Sequence, residues 1–322
     1  MNPYVFIVGC PRSGTTLLGR MVDAHPLVAI IHETRWIDEW FEERVGLTPE
    51  EFVTPRLIPL LLDHPRFARL GIEREDLEGL LARGEPVPYA SFIIGIFDLY
   101  GKAHRKQLVG DKTPRYVRSI RTLHTLWPDA RFVHIVRDGR DVSISAMNWE
   151  KGSAKLANRF ATWGEKPVTT AALWWEWHVR LGREAGESLG SELYHEVRYE
   201  SLIDRPAEEC ARLCEFLGVP YDDAMLRFHE GRTRVKSGHD ARRDAKKAWL
   251  PVTSGLRDWR SQMPSEDLER FEAAAGGLLD ELGYERIPPR PSPRTVVLAA
   301  RTRGSFLRDL RARGQKVPEG WG

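Results

Sequence analysis

The stretch Tyr4 to Leu18, YVFIVGCPRSGTTLL, constrains the fold of this chain more than any other. Tyr4 to Val8 is a short apolar run of the kind that forms a strand buried on both faces, and Gly9 ends it. Gly9, four further residues, Gly14, Thr15 and Thr16 then have the spacing of a phosphate-binding loop, and Leu17 and Leu18 open a helix behind it. The backbone N–H groups of such a loop and the positive end of the following helix make a pocket for a tetrahedral anion. Thr15 stands where a triphosphate-binding loop carries Lys, and the one cation in the loop is Arg12. The spacing therefore predicts an anion site that is not built for a magnesium triphosphate.

The same strand, charged turn and helix recur downstream. Ala130 to Val136, ARFVHIV, reads as a strand running into Arg137-Asp138-Gly139-Arg140-Asp141 and a helix. Leu193 to Arg198 reads as another, with Tyr199-Glu200-Ser201-Leu202 at its end, and shorter runs at Val28 to Ile31 and Gln107 to Gly110 complete the set. Strands alternating with helices predict an α/β fold: a P-loop-type parallel β-sheet flanked by helices, with helical insertions. We read residues 1–287 as one domain with a helical insertion over about 36–105, and 288–322 as a Pro/Arg linker and a basic C-terminal helix.

Ligand sites in open α/β sheets gather at the carboxyl ends of the strands. Among the charged residues that fall there besides the loop are Glu33, Lys112 and Arg137. From position alone Glu33 either caps a helix from Trp36 to Arg44 or serves as a general base near the anion. Ser145, two helical turns after Arg137, can reach a second phosphate with it, whereas Arg140 and Asp141 are expected to pair with each other. Gly152 to Pro167 reads as an irregular polar flap, and the Trp-rich helix Ala171 to Ser188 as core. Arg232 to Lys247 reads as a basic loop carrying Ser237, Arg242, Arg243, Lys246 and Lys247, able to close over a charged ligand.

Composition excludes several classes. Basic and acidic residues number 48 and 46, so no global field draws nucleic acid to the chain. No stretch approaches a membrane span. The strand beginning at residue 4 leaves no room for a signal peptide, so the expected setting is cytoplasmic. The three cysteines, Cys10, Cys210 and Cys214, form no disulfide framework, and the histidines show no metal-ligand spacing, so no metal is expected.

In order along the chain, PRSGTTLL at 11–18, AHP at 24–26, ETR at 33–35, DKTP at 111–114, VRDGR at 136–140, Ser145, YESL at 199–202 and FLG at 216–218 resemble the sulfotransferases that use 3′-phosphoadenylyl sulfate (PAPS). The resemblance is closest to the tyrosylprotein sulfotransferase branch and covers about Tyr4 to Trp259. It implies sulfuryl transfer from PAPS to a hydroxyl acceptor by in-line displacement, with adenosine 3′,5′-bisphosphate released and no metal required. Arg12, Ser13, Gly14, Thr15 and Thr16 would hold the 5′-phosphate, with Arg12 also reaching the sulfuryl group. Arg137 and Ser145 would hold the 3′-phosphate, and Tyr199 would lie near the nucleotide. Glu33 falls on the family's general base, Lys112 on the lysine supporting the leaving oxygen, and Ser237 on a late serine acting there too; His32 is the alternative base. The late lysine of the branch aligns with Leu250, leaving Lys246 or Lys247 as substitutes, and the amino-terminal anchor of the Golgi members has no counterpart here. The acceptor is left open among a sugar, lipid, small metabolite or peptide, and a homodimer is left open as well. The rival readings are a P-loop kinase-like phosphoryl transferase, which needs a loop lysine and Mg²⁺, and an inactive nucleotide-binding protein, which would have no use for Glu33 and Lys112.

Overall fold

The computed structural model describes residues 4–82, 84–230, 258–287 and 290–321. Five strands, Val5–Gly9 (β1), Val28–His32 (β2), Leu108–Lys112 (β3), Arg131–Val136 (β4) and Tyr194–Arg198 (β5), pair in parallel in the order β2-β3-β1-β4-β5. The central β1 is flanked by β3 on one side and β4 on the other. The strand order therefore reverses at β1, and the crevice outside its carboxyl end is where such sheets bind ligands.

The period-two alternation of a strand explains how both faces are covered. Phe6 turns to one face and stacks on Trp127 and Phe132, each at 5.6 Å between ring centroids. Val5 and Ile7 turn to the other, where they pack with Leu18, Val133, Ile135 and the thiols of Cys210 and Cys214. All three cysteines are free and buried, as core thiols are expected to be. The segment 36–105 folds into helices, among them Tyr89–His104, whose Phe92, Ile93, Ile96 and Phe97 are buried as its apolar spacing requires.

The longest helix among the described residues, Pro167–Leu189, is buried over most of its length, and Trp174, Trp175 and Trp177 are core residues. The C-terminal helix, Pro293–Ala312, packs on it and on Ser265–Glu281. Phe306 stacks on Phe160 at 4.2 Å, Trp177 donates to the carbonyl of Lys316, and Trp321 meets Phe306 edge-on.

Two expectations are corrected. The first half of the expected flap is a helix, Glu150–Arg159, closed by buried Phe160 and Trp163. Leu156 and Phe160 supply an apolar i,i+4 pair, and Trp163 Nε1 donates to Ser153 Oγ at 2.9 Å, so the polar residues occupy only the outer face. Arg140 and Asp141 do not pair with each other. Arg140 binds Asp138 and Glu272 while lying 3.5 Å over the Trp259 ring, and Asp141 accepts from Arg137. Among the described residues no helix is long and apolar enough to cross a membrane.

Candidate active site

The loop after β1 is shaped by residues with backbone angles that L side chains rarely adopt. Arg12 has φ +79° and Gly14 φ +97°. A Cβ at Gly14 would lie 2.4 Å from the Tyr199 ring, so glycine is required there by space as well as by conformation. Thr15 and Thr16 begin the helix Thr15–Ala24, which has no side-chain cap. Its first N–H groups are thus presented to the loop's concave side. Ser13 is fully buried and its Oγ has no hydrogen-bond partner among the described residues.

Beside the loop, the turn after β4 delivers Arg137. Its guanidinium donates to Asp141 Oδ2 at 2.8 Å and lies 4.1 Å over the Tyr199 ring, while its Nε is buried without a partner among the described residues. Its backbone is fixed from below, where Trp175 Nε1 donates to the Arg137 carbonyl at 3.0 Å. Tyr199 therefore touches both the loop, at Gly14, and Arg137. A second link joins the same two elements: Arg12 Nε donates to Ser145 Oγ at 3.0 Å, and the Arg12 guanidinium lies over Trp149.

The ends of β2 and β3 bring Glu33 and Lys112 together. The register pairs His32 with Lys112, and the Glu33 N–H continues the ladder to the Lys112 carbonyl at 2.9 Å. Glu33 then turns out of the strand with φ +56°. Lys112 is almost wholly buried, with its stem against Gly19, where a Cβ would come within 3.0 Å of it. Its Nζ donates to Glu33 Oε1 at 3.1 Å. The other carboxylate oxygen accepts from Arg35 and from Arg66 Nη1, and the latter also donates to the Glu33 carbonyl at 3.0 Å. Burial alone would push the Glu33 carboxyl up; Lys112, Arg35 and Arg66 outweigh it and hold the group well below the ordinary carboxylate range. Neighbouring Thr34 is locked from both sides, its N–H donating to Asp111 at 3.2 Å and its hydroxyl 2.7 Å from Tyr116 Oη.

His32 sits on the same strand end with a buried Nε2 that has no partner among the described residues. Burial first, and then Lys112, drive its pKa well below that of free histidine, so the ring is neutral. Glu33 does not cap the following helix, which begins at Ile37 with Trp36 at its cap. Ser237 and the basic residues Arg242, Arg243, Lys246 and Lys247 lie outside the described residues.

The structure thus gathers Arg12, Ser13, Gly14, Thr15, Thr16, Glu33, Lys112, Arg137, Ser145 and Tyr199 at one edge of the sheet. Loop amides, the guanidinium groups of Arg12 and Arg137, and the buried Ser13 hydroxyl, which has no partner among the described residues, make a donor set suited to anionic groups. Among the described residues no group of acidic, histidine or cysteine side chains could hold a metal ion. Sequence reasoning passed over Arg66, whose approach to Glu33 across the fold leaves no local signal, and over Trp149; it read Trp175 as core, without the hydrogen bond to the Arg137 carbonyl.

Comparison with known proteins agrees with this geometry. The profile described as the sulfotransferase family matches residues 3–223. Protein-tyrosine sulfotransferase A of Caenorhabditis elegans is 27% identical over 88% of this chain and 68% of its own length. Protein-tyrosine sulfotransferase 1 of Homo sapiens is 28% identical over 91% of this chain and 74% of its own. Among solved structures, the sulfotransferase domain from the Synechococcus PCC 7002 olefin synthase superposes with a TM-score of 0.52 at 22% identity, covering 93% of this chain and 94% of that one, and so shares the fold.

Proposed function

The chain belongs to the sulfotransferase family and is a PAPS-dependent enzyme, and we propose that Glu33 is its general base, with Lys112 and Arg12 stabilising the leaving group. PAPS supplies the sulfuryl group, and adenosine 3′,5′-bisphosphate is released as the acceptor hydroxyl is sulfated. The observation that carries the assignment is the contact between Lys112 Nζ and Glu33 Oε1, 3.1 Å, at two strand ends beside the loop.

The loop residues Arg12 to Thr16 hold the 5′-phosphate, and Arg137 and Ser145 the 3′-phosphate, with Tyr199 packed between the two. Glu33 receives the acceptor proton as the new O–S bond forms. Lys112 and Arg12 neutralise the charge that collects on the oxygen leaving sulfur, which is the contribution fixed cations make best in a partly buried site. Lys112 serves both tasks because its ammonium reaches Glu33 now and can partner the leaving oxygen as Glu33 takes up its proton. A neutral, enclosed His32 is the poorer base. Ser237 belongs to the proposal as a further donor to the leaving oxygen. A tyrosine phenol is the first acceptor to test, in view of the named relatives. The proposal sets the enzyme in the cytoplasm as a single domain over 1–287.

Thermal unfolding with adenosine 3′,5′-bisphosphate, and separately with ADP or ATP plus Mg²⁺, tests the donor site. A ligand at ~100 times its Kd adds about 2.7 kcal/mol of stability, on the order of several degrees in Tm. Stabilisation by the bisphosphate that Arg137→Ala abolishes supports the assignment. Stabilisation by ATP and Mg²⁺ alone overturns it in favour of phosphoryl transfer. For the base, sulfuryl transfer to a tyrosine peptide should fall by roughly 10² to 10⁴ in Glu33→Gln and stay near wild type in His32→Gln.

A further inference from the structure

We propose that the outer face of the C-terminal helix, Pro293–Ala312, docks on an anionic lipid bilayer. The inner face of this helix is already committed to the protein: Ala299, Thr302, Phe306 and Leu310 are buried. A helix fixed in that way ordinarily leaves a polar outer face. Here Val297 and Leu298 on the outer face are 52% and 42% exposed, and Val296 beside them is 46% exposed, so this short run holds three of the six large apolar side chains exposed among the described residues. Consecutive exposed aliphatic residues of this kind mark an interaction surface, since single exposed apolar residues are ordinary.

Charge identifies the occupant. Arg294, Arg301 and Arg308 recur at seven-residue intervals, so they share the outer face with Val297 and Leu298, and Arg311 is exposed one turn further on. None of these four guanidinium groups forms an ion pair with a described residue. The remaining charges of the helix are turned to the body of the protein, where Arg303 binds Glu176 and Asp309 accepts from the Ala161 N–H. The face therefore presents arginines interleaved with aliphatic side chains and no free carboxylate. Two copies meeting through it would oppose like charges. A bilayer with anionic headgroups instead takes both features together, because aliphatic side chains enter the acyl boundary while arginine stems lie along it and their heads reach the phosphates.

Co-sedimentation of the full chain with vesicles of equimolar phosphatidylserine and phosphatidylcholine tests this directly. Wild type should bind these vesicles, lose binding as salt is raised, and ignore vesicles of phosphatidylcholine alone. Arg294→Gln/Arg301→Gln/Arg308→Gln should lower partitioning about fivefold per arginine, on the order of a hundredfold together. Val297→Ser/Leu298→Ser should weaken it as well. Unchanged bisphosphate stabilisation of each variant reports that the fold is retained, and the wild-type dependence on salt and lipid stands without the variants. Equal binding to neutral vesicles, or none to anionic ones, overturns the proposal. So does loss in the arginine variant with full binding in Val297→Ser/Leu298→Ser, which would leave attraction by charge alone and no entry of aliphatic side chains into the acyl boundary. A wild-type dimer in sedimentation velocity that the apolar variant dissociates would assign the face to a second copy.

Discussion

Arg66 Nη1 donates at once to the backbone carbonyl and the carboxylate of Glu33, at 3.0 and 3.1 Å. A residue from the helical insertion thus holds the proposed base in its left-handed backbone conformation and lowers its proton affinity. Arg66 is a positioning residue, and its loss should act on both properties. Arg66→Ala is expected to reduce kcat about tenfold at neutral pH through misplacement of the carboxylate. It should also move the acid-side inflection of the pH–rate profile upward, since one of the three cations that depress the Glu33 carboxyl is gone. Arg66→Lys keeps a charge there and should recover most of that shift. A fall in rate with no change of profile would make Arg66 merely structural.

The same depressed carboxyl makes a stability prediction whose sign is fixed. Folded Glu33 holds its proton less tightly than unfolded Glu33, whose ordinary value is 4.5, so the unfolded chain takes up the additional proton in acid. The contribution of ionised Glu33 is complete above that value and is lost as pH falls below it. Glu33→Gln leaves buried Lys112 without its counter-charge and should cost about 3 kcal/mol at pH 7. Denaturant unfolding of the two proteins from neutral to acid pH should show this gap constant until about pH 4.5 and narrowing below. A gap that already closes between pH 7 and 6 would mean that Glu33 is not held by its three cations.

The second structural lock, between Gly14 and Tyr199, predicts a compensating pair. Gly14→Ala places a Cβ 2.4 Å from the Tyr199 ring at a φ of +97°, so it should destabilise the fold and abolish bisphosphate binding. Adding Tyr199→Ala removes the steric part. The double variant should then regain stability over Gly14→Ala while the strain of the backbone persists. Binding should return only in part, because Tyr199 also underlies the Arg137 guanidinium at 4.1 Å. Strict additivity of the two substitutions in stability would refute the contact.

What the sequence discloses and what it hides follow from how far apart the interacting residues lie. β1, its loop and the charged residues at the ends of β2, β3 and β4 are legible because a buried strand followed by a polar turn is a pattern of adjacent residues. Lys112 and Glu33 are legible for that reason, although the 3.1 Å contact between them depends on β2 and β3 pairing in register. Arg140 is misread because its second carboxylate, Glu272, comes from a helix 132 residues later, whereas Asp141 is the nearest candidate along the chain. Gly152 misleads in another way. The glycine and polar residues of 150–159 suggest a loop, yet the Trp149 ring occupies the space a Cβ would need, so glycine there serves packing within a helix.

The C-terminal segment is read from the sequence as a linker and a basic helix beyond the domain of 1–287, and its packing on the helices Pro167–Leu189 and Ser265–Glu281 raises the question of whether the two melt together. Phe306 is fully buried between Phe160, Trp177 and Trp321, and Trp177 belongs to the long helix whose Trp175 fixes the Arg137 carbonyl. Phe306→Ala removes a buried aromatic side chain from close packing and should cost about 3 to 5 kcal/mol. If the segment melts with the rest, calorimetry will show one transition that moves down as a whole, with bisphosphate binding weakened at temperatures where wild type still binds. Two transitions, with the upper one unmoved and still ligand-sensitive, would instead establish residues 1–287 as a unit that folds without the helix. The distinction matters for the donor site because the Trp177 indole ties the helix Pro167–Leu189 to the segment's last residues through the Lys316 carbonyl, 2.8 Å away. Loosening that end loosens the base on which Arg137 is held.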